Sequence, residues 1–169
     1  VGVLWAKELR YALADEVSAR FLGAVADELA PSGLALTLVP AVAEGRVIPA
    51  RDVALDGAIA YSCDPALPAL EWMRRRGLLV VYVDMPAPPG GVAITIDDRG
   101  GARQAAEHVV ELGRRRVTLL TTGFGGEARV VDDPLPLEAV RLRVPAERVA
   151  GWLEVLTAAG ITPTVVNQP

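Results

Sequence analysis

Apolar and polar positions follow two different periods along this chain, and the periods take turns. Short apolar runs at Val1–Trp5, Leu34–Val39, Ala58–Ala60, Leu78–Val83, Val92–Ile96, Val117–Leu120 and Pro163–Asn167 predict strands. Helical spacing lies between them. Val17, Phe21, Val25 and Leu29 share one face of a helix that Asp15 can cap and Gly33 can stop. Leu67, Leu70 and Met73 line a second helix, opened by Asp64-Pro65 and ended by Gly77. Ala102, Ala105, Ala106, Val109 and Leu112 recur at i, i+3, i+4 and i+7, with Asp97 or Asp98 as cap and Gly113 as stop. Pro145 opens a last helix with Val149, Trp152, Leu153 and Leu156 inward and Gly160 as its end. The polar stretch 43–51 leaves a short helix open.

Strand and helix in alternation predict repeated βαβ units, hence an α/β fold with a parallel sheet flanked by helices. The unbroken apolar run Leu78–Val83 predicts a strand covered on both faces. Residues 1–115 supply a full set of strands and helices, read as an amino-terminal lobe. Residues 116–169 supply only strand, helix and strand, read as the beginning of a carboxyl-terminal lobe. Two strands and one helix cannot close a core or cover their own edges, so the second lobe is expected to be incomplete and the chain a fragment. The connection Thr121–Pro145, with three glycines and Asp132-Asp133-Pro134, is longer than ordinary loops and predicts a functional or mobile segment.

Composition narrows the function classes. Of 169 residues, 51% are hydrophobic and 22% charged, as in globular chains and unlike disordered ones. A net charge of −4 argues against a nucleic-acid grip by this chain itself, which would need a basic face. The single cysteine excludes an internal disulfide and fits a reducing compartment, here the cytoplasm. No apolar run reaches the length of a membrane helix, so no membrane partner is expected. Val1–Trp5 reads as a strand and not as a leader, and the absent initiator Met predicts that something upstream was removed.

In open α/β sheets, ligands bind beyond the carboxyl ends of the strands. That rule selects Trp5 and Ala6 with the loop to Tyr11, then Tyr61, Ser62 and Cys63, then Asp84, then 121–126, and Arg148 in the first turn of the last helix. Aromatic faces, a carboxylate and an arginine suit a polyhydroxylated ligand, because rings stack on sugar C–H faces and charged groups fork to vicinal hydroxyls. The competing reading makes Trp5 and Tyr61 core residues and Asp84 a turn cap.

Catalytic, metal and cofactor chemistry finds no foothold. His108 is the only histidine and falls on a polar helix side with Gln104 and Glu111, which suits neither a base nor a zinc site. Cys63 has no histidine placed to activate it. Asp97-Asp98 is explained more simply by helix capping than by acid–base pairing. Gly123-Phe-Gly-Gly126 is too short for a dinucleotide fingerprint. Arg74–Arg76 and Arg114–Arg116 sit at helix carboxyl ends, where cations complement the dipole.

Several segments, in order, carry a resemblance. They are Val1-Gly-Val-Leu, Phe21-Leu-Gly-Ala-Val with Gly33-Leu-Ala-Leu, Asp56-Gly-Ala-Ile, Gly77-Leu-Leu-Val-Val-Tyr-Val-Asp84, the stretch from Asp97 to Val117, and Arg148-Val-Ala-Gly-Trp152 with Ala159-Gly-Ile. Together they resemble the effector-binding domain of LacI-type (lactose-repressor and galactose-repressor) transcriptional regulators. The resemblance implies a periplasmic-binding-protein-like type I fold of two lobes with the effector between them. It implies effector contacts at Arg148, which begins the "RxxGW" motif, and at Asp84, Tyr61 and the segment after Trp5. It implies a small-molecule effector, a carbohydrate by preference, a homodimer, no catalytic activity, and operator DNA bound by a helix-turn-helix head that this chain lacks. A sugar-binding protein of a transport system shares the fold and is the alternative; an α/β enzyme is the third reading. The chain departs from the family's "GHRR" at Gly113-Arg-Arg-Arg, and has Leu13-Ala-Asp-Glu-Val17 in place of "NPFF".

Overall fold

Strand β1 (Gly2–Trp5) is the organising element of a five-stranded sheet in the computed structural model. The structure describes the chain apart from residues 7–8, 42–47, 132–136, 138–139, 141 and 169 and the side chain of residue 11. After β1 come α1 (Leu9–Ala14), α2 (Glu16–Leu29), β2 (Thr37–Pro40), α3 (Pro49–Asp52), β3 (Gly57–Tyr61), α4 (Pro68–Arg75), β4 (Leu79–Val83) and β5 (Val92–Ile94). The sheet order is β2-β1-β3-β4-β5, and every pairing is parallel. This is the predicted α/β architecture.

Alternation along β1 divides the first core in two. Leu4 packs with Val39, Ala58, Ala60 and the α4 residues Ala69, Leu70 and Met73. Val3 and Trp5 point the other way, toward Ala12 of α1 and Leu22 of α2. Asp15 caps α2 as expected, accepting from the Ser18 backbone N–H at 2.8 Å and the Ser18 hydroxyl at 2.6 Å. The inward stripe, however, runs through Ser18 and Leu22, and Val17 is 68% exposed. Phe21 and Val25 pack beside that stripe, while Val17, in the first turn, stays outside it.

Two further expectations shift. The helix expected from Pro65 begins at Pro68, because the Asp64 carboxylate accepts from the Ala66 N–H at 2.8 Å and holds Pro65 in a turn. Strand β4 is not covered on both faces, since Val80 and Tyr82 pack on the α4 side while Leu79 is 83% exposed. Helices α1 and α2 stand over β1, β2 and β3 instead. Of the polar stretch 43–51, residues 43–47 lie outside the described residues, and α3 follows them.

The second sheet is built from β6 (Thr118–Thr121), β7 (Arg129–Val131) and β8 (Thr164–Asn167), with α5 (Asp98–Glu111) and α6 (Arg143–Ala158). Its order is β6-β8-β7; β8 runs parallel to β6 and antiparallel to β7. Leu119, Val131, Leu156, Ile161 and Val165 form its core. Strand β7 lies inside the connection expected to be a loop, and its Asp132-Asp133-Pro134 segment lies outside the described residues. Helix α6 starts at Arg143, two residues ahead of Pro145.

The chain forms two compact units, Val1–Thr95 and Ile96–Pro169. The division thus precedes α5, where the sequence placed it after residue 115. The reason is packing: α5 lies along α6 through small residues, with Ala102, Ala106 and Gly151 buried. Leu112, expected inward, is exposed, as is Ala105. A Cβ on Gly151 would lie 2.4 Å from the Arg99 carbonyl oxygen and 3.0 Å from Ala102 Cβ, which only glycine avoids. No helix among the described residues is long and apolar enough to cross a membrane.

Gly151→Ala is therefore expected to destabilise the chain by about 1–3 kcal/mol through overpacking against backbone. Urea unfolding monitored by circular dichroism measures this, and an unchanged midpoint would contradict the close approach.

Candidate functional site

The carboxyl ends of β1, β3 and β4 carry the first unit's candidates. Trp5 and Tyr61 end neighbouring, register-matched strands. Their rings stack at 4.6 Å with 15° between planes, and Phe21 of α2 meets Tyr61 at 4.5 Å. Such pairs contribute about 0.5–1.5 kcal/mol each beyond area burial. Trp5 is buried in the α1/α2 core and Tyr61 is half-buried against it, so the sheet edge is backed by a stacked aromatic floor. Ala6 is half-buried and packs on the opposite core. In the loop toward Tyr11, residues 7–8 and the Tyr11 side chain lie outside the described residues, and α1 begins at Leu9.

The next two positions are strained. Ser62, just past β3, has φ 46°, and Asp84, just past β4, has φ 56°. Left-handed conformations cost non-glycine residues energy and concentrate at functional positions. Backbone bonds hold both in place: Ser62 N–H donates to the Val83 carbonyl at 2.9 Å, and Asp84 N–H to the Ile94 carbonyl at 2.9 Å. The two side chains that a strand-end ligand would meet thus sit on adjacent strands in an enforced geometry. Sequence reading placed both residues at strand ends but carried only Asp84 forward as a ligand contact; nothing in the sequence signals the left-handed backbone of Ser62.

Cys63 is buried, with its Sγ 3.2 Å from the Tyr61 carbonyl. Burial pushes its thiol up to about 12, against a lowering by a backbone hydrogen bond with Tyr61, and the nearby Asp64 charge adds to the rise. The thiol is neutral at physiological pH, which removes the nucleophile reading.

In the second unit the aspartate pair splits its tasks. Asp97 caps α5, accepting from Gly100 N–H at 2.8 Å. The Asp98 side chain is 0% exposed and accepts twice: Arg148 Nε donates to Oδ1 at 2.9 Å and Arg143 Nη1 to Oδ2 at 3.2 Å. Arg148 itself is 58% exposed. It borders two clefts, one of about 220 Å³ with Asp98, Gly101, Ala102 and Trp152, and one of about 620 Å³ along β6 with Thr121 and Thr122. Arg143 escaped the sequence reading. The available signal was the aspartate doublet, since one carboxylate suffices to cap.

The glycine-rich segment after β6 is shaped by Asn167, which the sequence also left unremarked. Asn167 is fully buried; its Oδ1 accepts from Phe124 N–H at 3.2 Å and its Nδ2 donates to the Gly125 carbonyl at 3.2 Å. The basic runs serve structure. Arg115 donates to the Ala159 carbonyl at the end of α6, Arg76 to the Ala50 carbonyl, and Arg74 and Arg75 both pair with Glu71. His108 is exposed. Among the described residues no group of three or more His, Cys, Asp or Glu is arranged to hold a metal.

No family model matches the chain. Similar proteins and structures are nevertheless found. An HTH-type transcriptional regulator of Mycolicibacterium smegmatis is 33% identical over 176 aligned positions, covering 97% of this chain and 48% of that protein. A LacI-family transcriptional regulator of Corynebacterium glutamicum has a crystal structure with TM-score 0.85 and 29% identity, over 99% of this chain and 52% of that one. A periplasmic binding protein/LacI transcriptional regulator of Alkaliphilus metalliredigens, solved with D-xylulofuranose, shares the fold at TM-score 0.67 and 13% identity, over 98% of this chain and 55% of that one. The resemblance to LacI-type regulators and the periplasmic-binding-protein-like fold are both borne out. The chain spans about half the length of the curated relatives it matches. Those relatives are regulators, and they lend no support to the transport reading.

Two outcomes are expected. Native Cys63 reacts with Ellman's reagent at pH 8 only as the chain unfolds; rapid modification of the folded chain would contradict its raised pKa. Asn167→Ala leaves the Phe124 N–H and Gly125 carbonyl unsatisfied and costs about 1–3 kcal/mol in chemical unfolding; a loss below experimental error would show the clasp to be dispensable.

Proposed function

We propose that this chain, related along nearly its whole length to LacI-type transcriptional regulators, is the effector-binding part of such a regulator and not an enzyme. The effector is a small molecule, a carbohydrate by class. Arg148, Asp84, Tyr61, Trp5 and Ala6 are its candidate contacts. The observation that carries this reading is Arg148 itself. It opens the Arg-Val-Ala-Gly-Trp segment, and its guanidinium is exposed at the outer end while anchored to buried Asp98 at the inner end.

A planar guanidinium held at one nitrogen and open at the others suits vicinal hydroxyls or an oxyanion. The strained Asp84 backbone and the aromatic stack behind Tyr61 support a polyhydroxylated ligand on the first unit. The D-xylulofuranose bound by the Alkaliphilus neighbour is consistent with that class. Binding changes the relative stability of two conformations of a homodimer, and a DNA-binding segment outside this chain reads the change at operator DNA in the cytoplasm.

A thermal-shift screen of neutral aldoses, ketoses and polyols and their phosphates identifies the ligand. Arg148→Ala then weakens its binding about 10- to 100-fold, the loss of a charged hydrogen-bond donor. Calorimetric affinity equal to wild type in the folded variant would remove Arg148 from the site.

A further inference from the structure

Asp98 makes contacts that helix capping does not require. Asp97 already satisfies the start of α5. The Asp98 carboxylate is nevertheless fully buried, with each oxygen committed to a different arginine of α6. A carboxylate torsion is otherwise broad and weakly restrained. Engaging Oδ2 with Arg143 sets its plane and turns Oδ1 toward Arg148.

Arg148 is a long, mostly exposed side chain that would sample many rotamers if unanchored. Its bond from Nε to Asp98 is the only side-chain hydrogen bond it makes among the described residues. Nη1 and Nη2 make none there. Because a guanidinium is rigid and planar, fixing Nε fixes the direction of the remaining fork.

We propose that Asp98 is the positioning residue of the effector site: it holds Arg148 at Nε so that the Nη pair is presented to a ligand bearing two neighbouring oxygens, with Arg143 keeping the carboxylate in plane. This rests on the reading of Arg148 as the effector contact. It assigns selectivity to a residue that the ligand does not touch.

A positioning role and a purely electrostatic one predict opposite signs. Removing a carboxylate beside Arg148 raises the local positive charge, so on charge alone an anion should bind more tightly. If Asp98 positions the fork, the same anion should bind more weakly.

The test uses the whole chain labelled with ¹⁵N-arginine, inorganic phosphate as the two-oxygen probe, and Arg148→Lys to assign the Arg148 Nε–H resonance. In the wild type that resonance is displaced from the position of exposed arginines and moves on phosphate addition. In Asp98→Ala it returns to the exposed position, and phosphate affinity falls about 5-fold or more despite the added charge. Asp98→Asn keeps an acceptor oxygen and retains both the resonance and an affinity within about 3-fold. Should Asp98→Ala fail to fold, Asp98→Ser replaces it, being too short to reach Nε.

An unchanged resonance in the folded variant overturns the proposal. So does equal or tighter phosphate binding, or a wild-type resonance indifferent to phosphate. Failure of the broader reading looks different: effector affinity would survive Arg148→Ala while the Nε–H result stood.

Discussion

Two helices can share a buried carboxylate only if their backbones come close, and that closeness governs the second unit. At Gly151 the surface of α6 meets the Arg99 carbonyl of α5 with no room for a side chain. Ala102 and Ala106 extend the same seam. The short separation lets Asp98, in the first turn of α5, reach Arg143 and Arg148 in the first two turns of α6. Around the seam, Arg99 pairs with Glu154 and lies 4.0 Å from Glu147, while Arg103 lies 3.7 Å from Glu154. These outer pairs are largely solvated and add little individually. The inner contacts differ in that the Asp98 carboxylate itself is fully buried, so its two arginine partners offset a desolvation cost that the outer pairs do not face.

The first unit solves a related problem by other means. There the strand ends are fixed by stacked aromatic rings beneath and strained backbone above. Trp5, Tyr61 and Phe21 form a rigid floor. Ser62 and Asp84 keep unfavourable φ values because parallel ladder bonds to Val83 and Ile94 hold them there. Polar side chains are thereby directed by main-chain constraint in one unit and by a salt-bridged carboxylate in the other.

Much of the fold was legible in the sequence. The strands other than β7, the parallel pairing apart from β7, the Asp15 and Asp97 caps and the glycine stops at Gly33, Gly77, Gly113 and Gly160 are encoded locally, and all four glycines have positive φ. What escaped was decided by a competing local turn and by longer-range packing. Turn chemistry at Asp64 displaced a helix start from one proline to the next. The partner of α5 was fixed by a glycine some fifty residues away. For the site, residue types and strand ends pointed to Arg148 and Asp84. The partners around Arg148 were invisible, because Asp98 and Arg143 look like an ordinary cap and an ordinary surface charge until the helices pack.

Asn167 carries a consequence for how the second unit is made. The Phe124–Gly125 turn takes its hydrogen bonds from a residue synthesised 43 and 42 positions later. Strand β8 also supplies the partner for both β6 and β7. On a ribosome, β6 and the turn after it therefore wait for β8. The early strands leave the exit tunnel with unpaired edges and an unformed turn. A pause or break in synthesis before residue 164 would release β6 and β7 without the strand that pairs with both.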